Sequence, residues 1–366
     1  MAQPKLKPVK DQVIVITGAS SGIGLATSMM AAKAGAKVVI ASRNTSDLEE
    51  IATQIEEAGG EALAVTADVS RFDDVQKIKA DALDKFGRID TWVNNAAGAI
   101  YGPVLEHSIE ESRQLMETNF WGVHYGCIAA VEAMGSTGGV IVNVGSEVSE
   151  RAVAPQTMYS ASKHAVKGYT EGLRTELMEK GIPVLLSLVR PAGIDTPFTQ
   201  HAANRLEEGE PSLPAPVYHP NVAAQAILAC AVTGKRDVYA GGASKLFSVL
   251  NHVIPGALDH LIAGPMAKQN RLGSETPHDE AHEGLMKAPV KEGDVRGGHK
   301  GHVNRFSLYT SASLHPGSTL LTLGILGGLG WLGAAAFRKE SAKQALSPQN
   351  AEAPASEIER EAPMLN

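Results

Sequence analysis

Short apolar runs alternate with longer amphipathic segments from near the N-terminus to about residue 240, and few folds accept that pattern. Runs 13–17, 37–41, 62–66, 91–94, 140–144 and 184–189 are rich in Val and Ile and bounded by Gly, Asp or Asn. They read as buried strands. Helix-length segments lie between them. Ser46 and Glu49 have capping-box spacing ahead of a helix running to about Ala58, which Gly59 and Gly60 stop. Strands apolar on both faces and alternating with helices imply a parallel sheet covered on both sides. Handedness and adjacency rules then favour a doubly wound α/β layout, with no internal repeat.

A chain of 366 residues has room for two domains, or for one large α/β domain with appendages. Its 43% hydrophobic and 20% charged residues suffice for a core. A net charge of −7 argues against a nucleic-acid partner, which would call for a basic face. Cys127 and Cys230 cannot build a disulfide framework and fit a reducing compartment. Residues 1–12 carry lysines without an apolar core, so no secretory signal is expected there. Collagen, a disulfide scaffold and a multi-span transporter are excluded.

A last strand is expected at 237–240, then a helix over 244–262 broken at Pro255. The first domain is therefore read as 1–265. Residues 266–318 are polar and aperiodic and read as a disordered linker. Five histidines in it (His278, His282, His299, His302, His315) have irregular spacing and no cysteine partner, so no metal site is expected. Residues 319–337 hold no charge and are followed at once by Arg338 and Lys339, a length that matches a bilayer core. Gly324 and Gly328 form a small-xxx-small pair, although five glycines lower the hydropathy of the stretch. This stretch is taken as a C-terminal apolar helix, membrane-inserted or membrane-associated, with a disordered tail over 338–366. Arg338, Lys339 and Lys343 outnumber Lys300 and Arg305 and would place the tail in the cytoplasm, whereas the large domain looks built for a cytosolic cofactor. The second argument weighs more, giving a cytoplasmic catalytic domain tethered by its C-terminal helix.

The first strand ends in Thr17-Gly18-Ala19-Ser20-Ser21-Gly22-Ile23-Gly24, and a helix pattern follows from Leu25. The glycine spacing is not G-x-G-x-x-G, but the physical logic holds: a tight turn, then free N–H groups and the positive end of a helix facing a pyrophosphate. An acid about 20 residues onward would bind a ribose 2′-hydroxyl and repel a 2′-phosphate. The second strand instead ends in Ser42-Arg43-Asn44, and Arg43 can make charge-assisted contacts to phosphate. NADP(H) is the expected cofactor.

With these motifs the sequence resembles the short-chain dehydrogenase/reductase family, in its single-domain Rossmann form of about 250 residues. The resemblance spans roughly residues 9–242. It rests on Thr17 to Gly24, on Asp68-Val69, on Asn94-Asn95-Ala96-Ala97-Gly98, on Asn119 and Ser146, and on Tyr159-Ser160-Ala161-Ser162-Lys163. A spacing of four on a helix puts Tyr159 and Lys163 on one face, where an ammonium beside the phenol would favour the phenolate. The resemblance implies Tyr159 as general acid/base. It makes Lys163 the holder of the nicotinamide ribose, gives Ser146 a hydrogen bond to the substrate oxygen, and has Asn119 hold a water in the proton relay. It places Asp68 and Val69 at the adenine and Asn95, Ala96 and Gly98 along the ribose–nicotinamide side, with Asn94 bracing the sheet. After the sixth strand, Pro191, Gly193, Ile194 and Thr196 match the family's carboxamide-binding segment, but Ala192 stands where its first glycine is expected. The segment 196–220, rich in proline, would form the substrate lid, with His201, Tyr218 and His219 in it. The family also implies a homo-oligomer through the helices bearing Asn119 and Tyr159. The leading expectation is an NADP(H)-dependent oxidoreductase acting on a small carbonyl or alcohol. The alternative is a non-catalytic NADP-binding membrane scaffold or sensor.

Overall fold

The computed structural model describes residues 4–272, 284–288 and 293–315, and the chain up to Leu314 forms one compact unit. Its centre is a seven-stranded sheet made of β1 (Val13–Thr17), β2 (Lys37–Ser42), β3 (Glu61–Thr66), β4 (Thr91–Asn94), β5 (Gly139–Val144), β6 (Val184–Pro191) and β7 (Asp237–Ala240). The strands run in the order β7-β6-β5-β4-β1-β2-β3 and every pairing is parallel. Each expected strand is present, with ends moved by no more than two residues. The Rossmann expectation holds.

Alternation within each strand feeds two cores. Ile14 and Ile16 pack with Val38 and Ile40 under helices α1 (Gly22–Lys33), α2 (Thr45–Glu57) and α7 (Pro220–Thr233). Val13, Val15 and Ile141 pack on the opposite face under α3 (Phe72–Phe86), α5 (Gly122–Met134) and α6 (Thr157–Glu179). Helix α1 buries small residues (Ala26, Thr27, Ser28, Ala31), which lets it lie close against α7. The chain leaves the sheet edge at β3 and re-enters beside β1 as β4, so the loops after β1 and β4 diverge and open a crevice between them.

Two helix starts differ from expectation or were missed. Helix α2 begins at Thr45 with Asn44 as its cap, the side-chain oxygen accepting from Asp47 N at 3.3 Å; Ser46 falls inside the first turn and the Ser46/Glu49 box does not form. Asn44 closes strand β2 and so captures the cap position first. A true capping box precedes α4 (Ile109–Met116), where Ser108 and Glu111 bond reciprocally at 3.1 and 2.9 Å. The helix expected over 244–262 is two helices, α8 (Gly242–Val253) and α9 (Pro255–Leu261), divided at the proline as anticipated.

The described part of 266–318, read above as a linker, packs on the domain. Arg271–Leu272 pairs antiparallel with Glu210–Pro211, and Val303–Asn304 pairs parallel with Val217–Tyr218. A helix at Leu308–Leu314 seats Thr310, whose hydroxyl accepts from Gly241 N at 2.9 Å. These attachments are two-residue pairings and backbone contacts, which leave no hydrophobic period in the sequence. Residues 319–337 and 338–366 lie outside the described residues, among which no helix is long and apolar enough to cross a membrane.

Asn94 braces the sheet as expected. Its amide donates to Asn143 Oδ1 at 2.8 Å and its oxygen accepts from Trp92 Nε1 at 2.8 Å, while Asn143 donates to Thr170 on α6 at 2.9 Å. Gly126 of α5 passes so close that a Cβ there would strike Asn94 Oδ1. Gly126→Ala is expected to destabilise the protein by about 1–3 kcal/mol. In thermal unfolding that is a fall of roughly 2–4 °C per kcal/mol; an unchanged melting temperature would contradict this role for the Asn94 network.

Candidate active site

The crevice at the carboxyl ends of the strands holds a cavity of about 430 Å³. Its inner end is the β1–α1 turn. Gly18 has φ of +62°, and a Cβ there would sit 2.7 Å from Ala96 Cα. Asn95 locks the turn by donating to Thr17 O at 2.9 Å and to Gly18 O at 3.0 Å. Thr17 Oγ1 in turn accepts from Asn95 N at 3.1 Å and Ala96 N at 3.2 Å. Gly18, Ser20, Ser21, Gly22 and Ile23 line the cavity. Thr17 and Gly24 do not. They shape the loop from behind, because a Cβ on Gly24 would collide with the Gly18 carbonyl.

Ser42, Arg43, Asp68, Val69, Ala96 and Gly98 also line the cavity, as the sequence implied. Asp68 accepts from Ser70 N and Ser70 Oγ at 2.9 and 2.7 Å, which fixes its carboxylate. Arg43 donates to the carbonyl oxygens of Gly284 and Leu285, the latter at 3.3 Å. Two of its five N–H donors are thereby used to set the plane of the guanidinium, and the others remain.

Helix α6 carries Tyr159 and Lys163 into the cavity, and the loop after β5 brings Ser146. Ser146 Oγ accepts from Val148 N at 3.3 Å, so its own hydroxyl hydrogen is left to donate. Lys163 is 2% exposed; its Nζ donates to Val144 O at 2.9 Å and lies 5.7 Å from the centroid of the Tyr159 ring. Burial lowers the Lys163 ammonium to about 8. Burial also pushes the Tyr159 hydroxyl well above its ordinary value; a hydrogen bond with Ser146 pulls the other way and the Glu147 carboxylate pushes further up. Sequence reasoning expected the lysine to favour a phenolate. Within the protein's own groups the loss of hydration outweighs that effect, and Tyr159 is held as a neutral phenol.

Asn119 does not line the cavity. It sits fully buried in a π turn between α4 and α5, accepting from Gly98 N at 2.8 Å and donating to Gly98 O and Ser162 Oγ, each at 3.0 Å. Its side chain ties the strand β4 loop to the helix bearing Tyr159. Pro191 at the end of β6 and Ala192, Gly193, Ile194 and Thr196 in the loop after it reach the cavity. The Ala192 methyl is accommodated by Gly241, at φ +106°, where a Cβ would come within 2.9 Å of it. Of the three lid residues, His201 lines the cavity, whereas Tyr218 packs in the core and His219 caps α7.

Sequence reasoning missed the C-terminal extension as part of this site. Gly22 N donates to Asp294 O at 3.0 Å and Gly293 N donates to Ser20 O at 2.9 Å, so the extension is laced to the glycine loop itself. Asp195, 1% exposed, accepts from Arg296 Nε at 2.7 Å and His299 N at 2.9 Å, and both contacts hold its carboxyl below the usual range. Leu285 is buried over Gly98 and, with Gly284, closes the cavity near Arg43. No sequence motif signals these contacts, since most use main-chain atoms. Among the described residues no cluster of His, Cys, Asp and Glu could hold a metal ion.

Residues 12–207 match the family model for short chain dehydrogenases. The chain belongs to the short-chain dehydrogenase family. It is an oxidoreductase by that membership, and its 366 residues extend well beyond the matched stretch. An uncharacterized oxidoreductase of Bacillus subtilis, YxnA, is 40% identical over 314 residues, covering 85% of this chain and 88% of its own. The 3beta-hydroxysteroid dehydrogenase of Mediterraneibacter gnavus is 35% identical over 195 residues, 53% of this chain and 70% of that one. Among solved structures, a short chain dehydrogenase from Burkholderia cenocepacia in complex with NADP is 28% identical with a TM-score of 0.60, covering 71% of this chain and 100% of that chain. An alcohol dehydrogenase from Thermococcus sibiricus complexed with 5-hydroxy-NADP is 27% identical with a TM-score of 0.54, covering 62% and 95%. The cavity lined by Gly18, Ser20, Ser21, Gly22 and Ile23 at the start of α1 fits a nicotinamide nucleotide of the kind that the two solved structures hold.

The buried Asp195 carboxylate depends on Arg296, so Arg296→Ala is expected to loosen the extension and cost about 1–3 kcal/mol. Limited proteolysis should then cut within 284–300 several-fold faster than in the wild type, with the core fragment intact. Equal cutting rates would mean that the ion pair does not hold the extension.

Proposed function

We propose that the chain is an NADP(H)-dependent oxidoreductase that interconverts a carbonyl and a secondary alcohol, with Tyr159 as general acid/base. The observation that carries this reading is the convergence of Ser146, Tyr159 and Lys163 on the cavity that the glycine loop closes. When bound, the nicotinamide cofactor supplies or accepts the hydride. The N–H groups of Ser21 and Ile23 and the positive end of α1 would hold its pyrophosphate, beside the Gly22 N–H that Asp294 O occupies. Asp68 and Val69 would flank the adenine. Asn95, Ala96, Gly98, Pro191, Gly193, Ile194 and Thr196 would line the ribose and nicotinamide side. The absence of an acid after β2, together with Arg43 at the cavity, supports NADP(H) over NAD(H).

A neutral Tyr159 is the form that reduction needs. Its hydroxyl gives a proton to the carbonyl oxygen as that oxygen gains negative charge, and Ser146 donates a hydrogen bond to the same oxygen. The phenolate left behind is stabilised by the Lys163 ammonium on the next turn of α6. Asn119, one layer back, keeps Tyr159 and the Gly98 loop in register. The exposed Phe72 and Trp121, clustered with Tyr125 and His124, support self-association on the α3–α5 face.

The decisive test is oxidation of NADPH and NADH by the full chain with a panel of aldehydes, ketones and quinones. Tyr159→Phe is expected to lower kcat about 10²- to 10⁴-fold while NADPH binding is kept; undiminished turnover would remove Tyr159 from the mechanism. Arg43→Ser should weaken NADPH binding about tenfold or more, some 1.4 kcal/mol, and leave NADH unchanged. Equal effects on both cofactors would contradict the 2′-phosphate role. Since Lys163 is protonated below about 8 and neutral above it, reduction should be sustained at lower pH and fall as pH rises through about 8. A rate that climbs through that range would contradict the role of the ammonium.

A further inference from the structure

The turn that follows Ser146 contains two acids with opposite fates. Glu150 is fully used: it pairs with Lys167 at 2.9 Å and with the buried Arg190, and these partners hold its carboxyl low despite burial. Glu147, three residues earlier, uses its main-chain carbonyl to accept from Glu150 N at 3.1 Å, but its carboxylate has no hydrogen bond or ion pair with a described residue and lines the same cavity. The residue is half-buried, and the loss of hydration on the cavity wall pushes its carboxyl up to about 7. Of the cations on neighbouring elements, Lys163 donates to Val144 O and Arg151 pairs with Asp259.

The rest of that end of the cavity is apolar, formed by Val148, Val153, Phe198, Phe247, Leu250 and Met266. Its neutral polar groups are largely satisfied by the protein: Tyr101 bonds to Gln156, and Asn270 donates to Ala154 O at 2.7 Å. Glu147 is therefore an acceptor with nothing to accept from, in a place where an unpaired acid is costly. A substrate donor would remove that cost.

We propose that Glu147 is a specificity-determining residue that receives a hydrogen-bond donor, a hydroxyl or a protonated amine, carried by an otherwise apolar ketone away from its reacting carbonyl. This rests on the carbonyl-reductase reading above and adds the substrate class. A site built around such a contact discriminates strongly against the analogue that lacks the donor, because the buried acceptor is then left unpaired.

The test uses the full chain with NADPH and three alicyclic ketones of matched size: one unsubstituted, one with a ring hydroxyl and one with a ring amine, placed across the ring from the carbonyl. The wild type is expected to favour one donor-bearing ketone over the unsubstituted one by at least tenfold in kcat/KM. Glu147→Leu should abolish that preference while leaving the unsubstituted ketone unchanged or improved, with NADPH binding retained as the check on folding. Glu147→Gln separates the donors, since it should keep most of a preference for hydroxyl and lose a preference for amine. Equal losses on all three ketones would overturn the proposal and make Glu147 a modulator of Tyr159. So would a wild type that reduces all three without preference. A wild type that reduces no ketone at all would overturn the carbonyl-reductase reading and this proposal with it, an outcome distinct from the other two.

Discussion

The clamp between Asn95 and the glycine turn is the contact on which the site depends. Asn95 bonds to the carbonyls of Thr17 and Gly18, and Thr17 Oγ1 returns bonds to the main chain of Asn95 and Ala96, so the ends of β1 and β4 are joined where the topology would otherwise part them. Only glycine fits at 18 and 24 because the two loops approach so closely. With the turn fixed, α1 points its N-terminus into the crevice. Through Asn119 and Gly98, the β4 loop in turn sets the position of the helix carrying Tyr159 and Lys163. The glycine loop and the Tyr159 helix are thus braced against one another through the β4 loop.

Burial does the electrostatic work at the other end of the cavity. It keeps Tyr159 protonated, lowers the Lys163 ammonium and raises Glu147, and it does so because removal from water disfavours whichever form carries charge. Where the fold supplies partners, as around Glu150 and Asp195, burial is tolerated with the carboxylates ionised. The contrast separates these structural acids from Glu147, which faces the cavity without a partner for its carboxylate among the described residues.

The strands were legible because both-sided burial leaves runs of Val and Ile that no helix would produce, and helical spacing alone puts Tyr159 and Lys163 on one face of a helix, while the roles proposed for them rest on the family resemblance. Less was legible where main-chain atoms carry the contact. The lacing of Gly22 and Ser20 to 293–294 and the seat of Arg43 on Gly284 and Leu285 involve carbonyls and amides that any sequence provides. The substitution at Ala192 was visible, but its compensation by Gly241 depends on a neighbour about fifty residues away brought close by the β6–β7 pairing. The sign of the shift at Tyr159 also required the fold, since the phenol's depth, not its lysine neighbour, decides it.

The most direct test of the central claim is isotope transfer. The full chain would be incubated with NADPH deuterated at the transferring position and a ketone that it consumes, and the alcohol would be analysed by mass spectrometry. Hydride transfer in this cavity predicts one deuterium per molecule at the new carbinol carbon. Cofactor binding without label in any product would contradict it and leave a nucleotide-binding protein that performs no redox chemistry on carbonyls.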